Sequence, residues 1–142
     1  MLLIEQQVAD AVKSPQLTVV HFWAPWCSNC QAELKSGGWK AIIETNPDVN
    51  FIFVTIWNDK DGHAELEKNG ILSLKNVTVL LHPNPSRKEG EKAGAFMGVE
   101  LSWLPTTWIF KSGKLFYNID YGEMHFPILQ QFIKDSAEKW EH

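Results

Sequence analysis

His21-Phe22-Trp23-Ala24-Pro25-Trp26-Cys27-Ser28-Asn29-Cys30 holds both cysteines of this 142-residue chain. The run that leads into it, Leu17 to Trp23, is apolar apart from Thr18 and His21, which suits a central strand covered on both faces. Beyond Cys27, the residues Gln31, Ala32, Glu33 and Leu34 suit a helix. Two sulfurs three positions apart, where a strand hands over to a helix, can open and close a disulfide reversibly. The spacing points to redox chemistry.

Thiol–disulfide exchange needs a thiolate to attack and a second thiol to resolve the mixed disulfide. Cys27, at the first turn of the helix, faces unpaired N–H groups and the positive end of the helix dipole, which favour thiolate; it is the expected nucleophile. Cys30 lies one turn further in and is the expected resolving thiol. The competing reading of the pair is half of a zinc site, which needs two more Cys or His ligands. His21, His63, His82, His125 and His142 are scattered singly, so no metal is expected. A purely structural disulfide across so short a loop removes little chain entropy and would stabilise little.

Composition narrows the rest. The chain is 44% hydrophobic and 21% charged with a formal net charge of −4, and it has no run of Lys or Arg, so neither nucleic acid nor an anionic membrane is an expected partner. No stretch approaches the length of a membrane span, and Met1-Leu2-Leu3-Ile4 is cut off by Glu5 before it resembles a signal peptide. As written the expected compartment is the cytoplasm, or an extracytoplasmic space if a leader was removed.

Periodicity places the other elements. Ile4, Val8, Ala11 and Val12 mark an amphipathic helix that ends before Ser14-Pro15. The helix after Cys27 weakens at Gly37-Gly38; Trp39, Ile42 and Ile43 resume its apolar face until Asn46-Pro47-Asp48. Phe51 to Trp57 reads as a second buried strand, His63 to Asn69 as a short helix capped by Gly70, and Val77 to Leu81 as a third strand. Ser86 and Glu89 have the form of a capping box, which predicts a helix to about Met97. Pro105 to Phe110 and Leu115 to Tyr121, joined by Lys111-Ser112-Gly113-Lys114, form a predicted hairpin. Ile128, Leu129, Phe132, Ile133 and Trp140, with Pro127 in the first turn, mark a terminal helix. The order α-β-α-β-α-β-α-β-β-α predicts an α/β fold with a mixed central sheet covered on both faces. Asp59, Asp61, His63 and Glu65 lack the spacing of a cation-binding loop and read as solvated.

The segment from His21 to Cys30 resembles the active site of the thioredoxin superfamily, in which a strand ends in Phe-Trp-Ala-x-Trp-Cys-x-x-Cys. Trp103-Leu104-Pro105-Thr106-Thr107 resembles the segment carrying that family's cis-proline, and Phe110-Lys111-Ser112-Gly113-Lys114 its next hairpin turn; Gly122 matches a family glycine after the last strand. The resemblance implies a single thioredoxin-like domain over residues 1–142. The helix and strand added between Trp57 and Pro105 resemble the TlpA/ResA type of thiol–disulfide oxidoreductase. By resemblance Pro105 is cis beside the cysteines, the backbone of Leu104 pairs with an extended substrate, and Trp26 and Trp103 flank the site. A trans proline opening an edge strand, and tryptophans that serve only the core, are the plainer readings.

Three departures qualify the match. His21 stands where thioredoxins carry a buried Asp beneath the second cysteine; it is either an acceptor for the Cys30 proton or a hydrogen-bonded core residue. Lys35 stands where the family often has proline, and Ser28-Asn29 replaces the Gly-Pro of thioredoxin, a pair that helps set redox poise. The resemblance implies an enzyme that exchanges disulfides with protein dithiols, more in the direction of reduction, as a monomer without a cofactor and with a redox partner that resets the pair. The alternatives are a redox sensor or partner-binding module without turnover and, last, a peroxidase, since Cys27 lacks the Pro-x-x-x-Thr/Ser-x-x-Cys pattern of peroxiredoxins.

Overall fold

The computed structural model describes residues 1–120 and 122–138. Its order is α1 (Leu3–Val12), β1 (Thr18–Trp23), α2 (Ser28–Lys35), α3 (Gly38–Thr45), β2 (Asn50–Thr55), α4 (His63–Lys68), β3 (Val77–Leu81), β4 (Ala95–Phe96), β5 (Val99–Glu100), β6 (Thr106–Lys111), β7 (Lys114–Ile119) and α5 (Phe126–Ala137). Five strands form a mixed sheet in the order β3-β2-β1-β6-β7. β1 runs parallel to β2 and antiparallel to β6, which puts it at the centre.

All six residues of β1 are buried. Because successive side chains point to opposite faces, the strand feeds two cores at once. Val19 and Trp23 join Phe51, Phe53 and Ile109 on the face covered by α2, α3 and α5. Val20 and Phe22 join Ile52, Val54, Trp108 and Phe110 on the face covered by α1 and the segment around Phe96. Each fully buried side chain of this size contributes about 1.5–3 kcal/mol of transfer free energy, so the two-sided strand is where cohesion concentrates. On α1, Val8 and Val12 are buried one turn apart and the Glu5 carboxylate accepts the Leu2 N–H at 3.0 Å. On α5, Leu129, Ile133 and Ser136 are buried, with a proline in the first turn. Trp140 and the Tyr121 end of the predicted last strand lie outside the described residues.

The predicted weakness after Cys30 is a full break. Gly37 adopts φ 78°, a left-handed conformation that only glycine takes without cost, and the chain restarts as α3. The α4 end follows the Schellman pattern: the Gly70 N–H donates to Glu67 O at 3.0 Å and the Ile71 N–H to Leu66 O at 2.9 Å.

The helix expected from Ser86 to about Met97 does not form. Asn84 Oδ1 accepts the Ser86 N–H and Ser86 Oγ accepts the Lys88 N–H, so both side chains close turns rather than cap a helix. Only a single turn follows, through Glu91 and Lys92 N–H donated to Lys88 O. Met97 and Gly98 then take φ 52° and 76°, the two positive values of a tight two-residue hairpin turn, and join β4 to β5. Ser112 and Gly113, at φ 51° and 80°, use the same device between β6 and β7. The insertion before β6 is therefore a helix, a strand and a small ribbon. No helix among the described residues is long and apolar enough to cross a membrane.

Candidate active site

Cys27 is the N-cap of α2, with extended backbone (φ −77°, ψ 118°), and its Sγ accepts the Cys30 N–H at 3.2 Å. The Gln31 amide donates to Pro25 O at 2.7 Å and the Cys27 N–H to Ala24 O at 3.1 Å, which lock the turn between β1 and α2. Both cysteines are free thiols, 6% and 1% exposed respectively. The hydrogen bond from the Cys30 thiol holds the Cys27 thiol down at about 7, helped by the backbone N–H groups of Cys30 and Asn29 and opposed by burial and the nearby Glu33 carboxylate. The same hydrogen bond, then burial and Glu33, push the Cys30 thiol far up. One sulfur is thus poised as a thiolate near neutral pH while its neighbour keeps its proton.

A pH profile follows from this. Alkylation of Cys27 by iodoacetamide should rise with pH through a midpoint of about 7 and fall about tenfold per unit below it, since only the thiolate reacts. In Cys30→Ala the midpoint should move up, because the main stabilising hydrogen bond is lost. A wild-type midpoint at about 8.5, that of an ordinary cysteine, would contradict the geometry.

His21 is buried on the cysteine face of β1, opposite Thr107 of β6. Its Nδ1 shares a hydrogen bond with Thr107 Oγ1 at 2.8 Å, and its Nε2 lies 3.3 Å from Glu33 Oε1. Glu33 was not singled out by the sequence reading, and it is completely buried. Its Oε1 also accepts the Trp39 indole N–H at 3.1 Å, and its Oε2 accepts the Met124 N–H at 2.7 Å. The signal was its position: three residues after Cys30 on a helix, Glu33 shares the buried face of that cysteine. A lone glutamate on a helix otherwise reads as a solvated residue.

The Leu104–Pro105 peptide is cis, and Pro105 is buried. Pairing of Phe22 with Thr106 brings the Pro105 end of β6 beside the end of β1 from which the cysteine turn emerges. Leu104 is half-buried and packs against both cores. Trp103 is 65% exposed, and its carbonyl accepts the Thr106 hydroxyl at 2.7 Å. Trp26 is 40% exposed and is fixed by its indole N–H to Trp57 O at 2.9 Å. These two tryptophans face solvent, whereas Trp23, Trp39 and Trp108 are core. Among the described residues no three His, Cys, Asp or Glu side chains are grouped to hold a metal ion. Asp61 and His63 contact each other, by the His63 N–H to Asp61 Oδ1 at 3.0 Å and the imidazole 3.6 Å from Oδ2, and Asp61 O accepts the Thr55 hydroxyl at 2.7 Å.

Several solved structures share this architecture. A thiol:disulfide interchange protein of the thioredoxin family from Chlorobium tepidum superposes with a TM-score of 0.66 at 18% identity, over 91% of this chain and 85% of that one. A secreted Mycobacterium tuberculosis disulfide oxidoreductase homologous to E. coli DsbE gives 0.64 at 17% identity, over 88% and 85%. A DsbF homologue from Corynebacterium diphtheriae gives 0.61 at 20%, over 89% and 74%. At such identities the likeness is one of fold. No curated protein sequence matches significantly. The sequence itself matches the thioredoxin-like domain over residues 4–137, a span that takes in every element from α1 to α5, and the chain belongs to that family.

Proposed function

We propose that this chain is a thiol–disulfide oxidoreductase of the TlpA/ResA type, a monomeric thioredoxin-like domain that reduces protein disulfides through Cys27 and Cys30. The observation that carries the reading is the asymmetry of the two thiols, one held near pH 7 at a helix N-terminus and the other buried with its proton. The Cys27 thiolate attacks one sulfur of a substrate disulfide; that S–S bond breaks, the other substrate sulfur leaves as a thiolate and takes a proton, and a mixed disulfide forms. Cys30 then gives up its proton and attacks Cys27 Sγ, releasing the second substrate thiolate. The substrate gains two electrons and two protons, and the cysteine pair is left oxidised until a dithiol partner resets it. His21, held by Thr107 and Glu33, is the acceptor we assign to the Cys30 proton. Trp26, Trp103 and the backbone of Leu104 beside Pro105 form the docking surface for an extended substrate segment.

Equilibration in dithiol redox buffers, read by thiol modification and Trp26 fluorescence, tests this reading. A reversible two-electron transition at a strongly reducing potential is expected. A potential near the roughly −120 mV of a strong oxidant would reverse the direction to disulfide formation. A pair that does not cycle would make the chain a partner-binding module instead.

A further inference from the structure

The exposed Arg87 guanidinium sits over the ring of Trp26, its Cζ 3.6 Å from the ring centroid, one residue before Cys27. The segment that carries it is fastened to the site by other contacts. Trp57, whose carbonyl holds the Trp26 indole, donates its own indole N–H to Ala93 O at 2.7 Å, and within the segment the Asn84 amide donates to Glu91 O at 2.9 Å. The other two cations of this segment have acidic partners: Lys88 lies 3.7 Å from Glu91 and Lys92 2.9 Å from Glu89. Among the described residues Arg87 has no ion-pair partner. The aromatic contact uses none of the guanidinium's N–H donors in an ion pair, and those donors form a planar fork that fits a carboxylate.

We infer that Arg87 on Trp26 is a specificity device that favours protein disulfides with an Asp or Glu within two positions of the attacked cysteine. The inference rests on the exchange reading above and adds the class of substrate. An extended chain advances about 3.3–3.6 Å per residue, so a cysteine docked at Cys27 places only its near neighbours within reach of Trp26. The protein as a whole carries −4 and repels acidic partners, so a preference for them has to come from a local cation. Arg87 is the unpaired one next to the nucleophile.

The test uses the reduced full chain and three short peptides alike but for a Glu, Gln or Lys beside a single cysteine, each carried as a mixed disulfide with neutral 2-thiopyridine. Cys27 attacks the peptide sulfur, the peptide–pyridyl S–S bond breaks, and pyridine-2-thione leaves with the electron pair and a proton, so its absorbance reports the rate. The Glu peptide should react about five- to tenfold faster than the Lys peptide at low ionic strength, the Gln peptide falling between, and the ratio should shrink toward one at about 0.5 M salt. Arg87→Gln should bring the Glu-to-Lys ratio to one or below, and Arg87→Lys should keep part of it. The ratio is taken within one protein sample, so partial loss of folded protein cancels. Equal rates for all three peptides on the wild type, or an unchanged ratio in Arg87→Gln, would overturn the role of Arg87 and leave the exchange reading standing. Failure of every peptide to react would overturn both.

Discussion

Cys27→Ala is expected to reduce protein-disulfide exchange to the uncatalysed background, whereas Cys30→Ala is expected to preserve the first step and stall at the mixed disulfide. The two thiols differ because their surroundings differ. Cys27 Sγ caps the start of the helix and accepts the Cys30 N–H, and its thiol is held at about 7; outside this motif the chain has no cysteine. Cys30 is buried, and its thiol is pushed up by the hydrogen bond to Cys27, by burial and by Glu33. It becomes a competent nucleophile only when the mixed disulfide removes the Cys27 thiolate beside it. Held one helical turn away, it then acts at an effective concentration that no external thiol reaches. Intact-mass spectrometry of each variant after exposure to a protein disulfide checks this. The substrate adduct should accumulate on Cys30→Ala and be absent from Cys27→Ala; the reverse pattern would exchange the roles of the two cysteines.

The second large effect is on stability. Glu33→Ala should cost about 3–5 kcal/mol, read as a fall in the urea midpoint with little change in slope. Removing the carboxylate strips partners from the Trp39 indole N–H at 3.1 Å and the Met124 N–H at 2.7 Å, and takes away the oxygen 3.3 Å from His21 Nε2. Each buried donor left without an acceptor costs about 1–3 kcal/mol, and the Trp39 side of the site is closed to water because Glu33, Trp39 and His21 are all buried. Glu33→Gln keeps one acceptor oxygen and should cost about 1–2 kcal/mol. It also separates packing from electrostatics. The carboxylate pushes both thiols up, so the neutral amide should bring the Cys27 alkylation midpoint below its wild-type value. A loss of stability below about 1 kcal/mol in Glu33→Ala would mean that the buried network is not what joins α2, α3 and the loop before α5.

How far the chain could be read from its residues depended on how far apart the deciding residues lie. β1, β2, β3 and the β6–β7 hairpin were legible because apolar runs and the Ser112-Gly113 turn are local signals. A weak point after α2 was legible in two adjacent glycines, but not that the chain breaks there and restarts as α3. The segment from Ser86 to Met97 misled: Ser86 and Glu89 have capping-box spacing, yet Asn84 and Ser86 spend their side chains on turns, and Met97-Gly98 reverses the chain into a ribbon whose Phe96 fills the core against Phe22 and Trp108. Anchoring of Met97 by Glu5, 92 positions earlier, has no local signature.

The same division runs through the site. The cysteine pair, the strand that delivers it and the helix that begins on it follow from short-range signals, because strand alternation, helix periodicity and the effect of a helix end on a thiol act over a few residues. What surrounds those sulfurs depends on long-range contacts: His21 meeting Thr107 across 86 positions, Met124 donating to Glu33 across 91, and Arg87 over Trp26. Those contacts depend on which faces the folded sheet and its loops bring together, and hydrogen bonds, charges and stacking act only once the groups are within a few ångströms of each other.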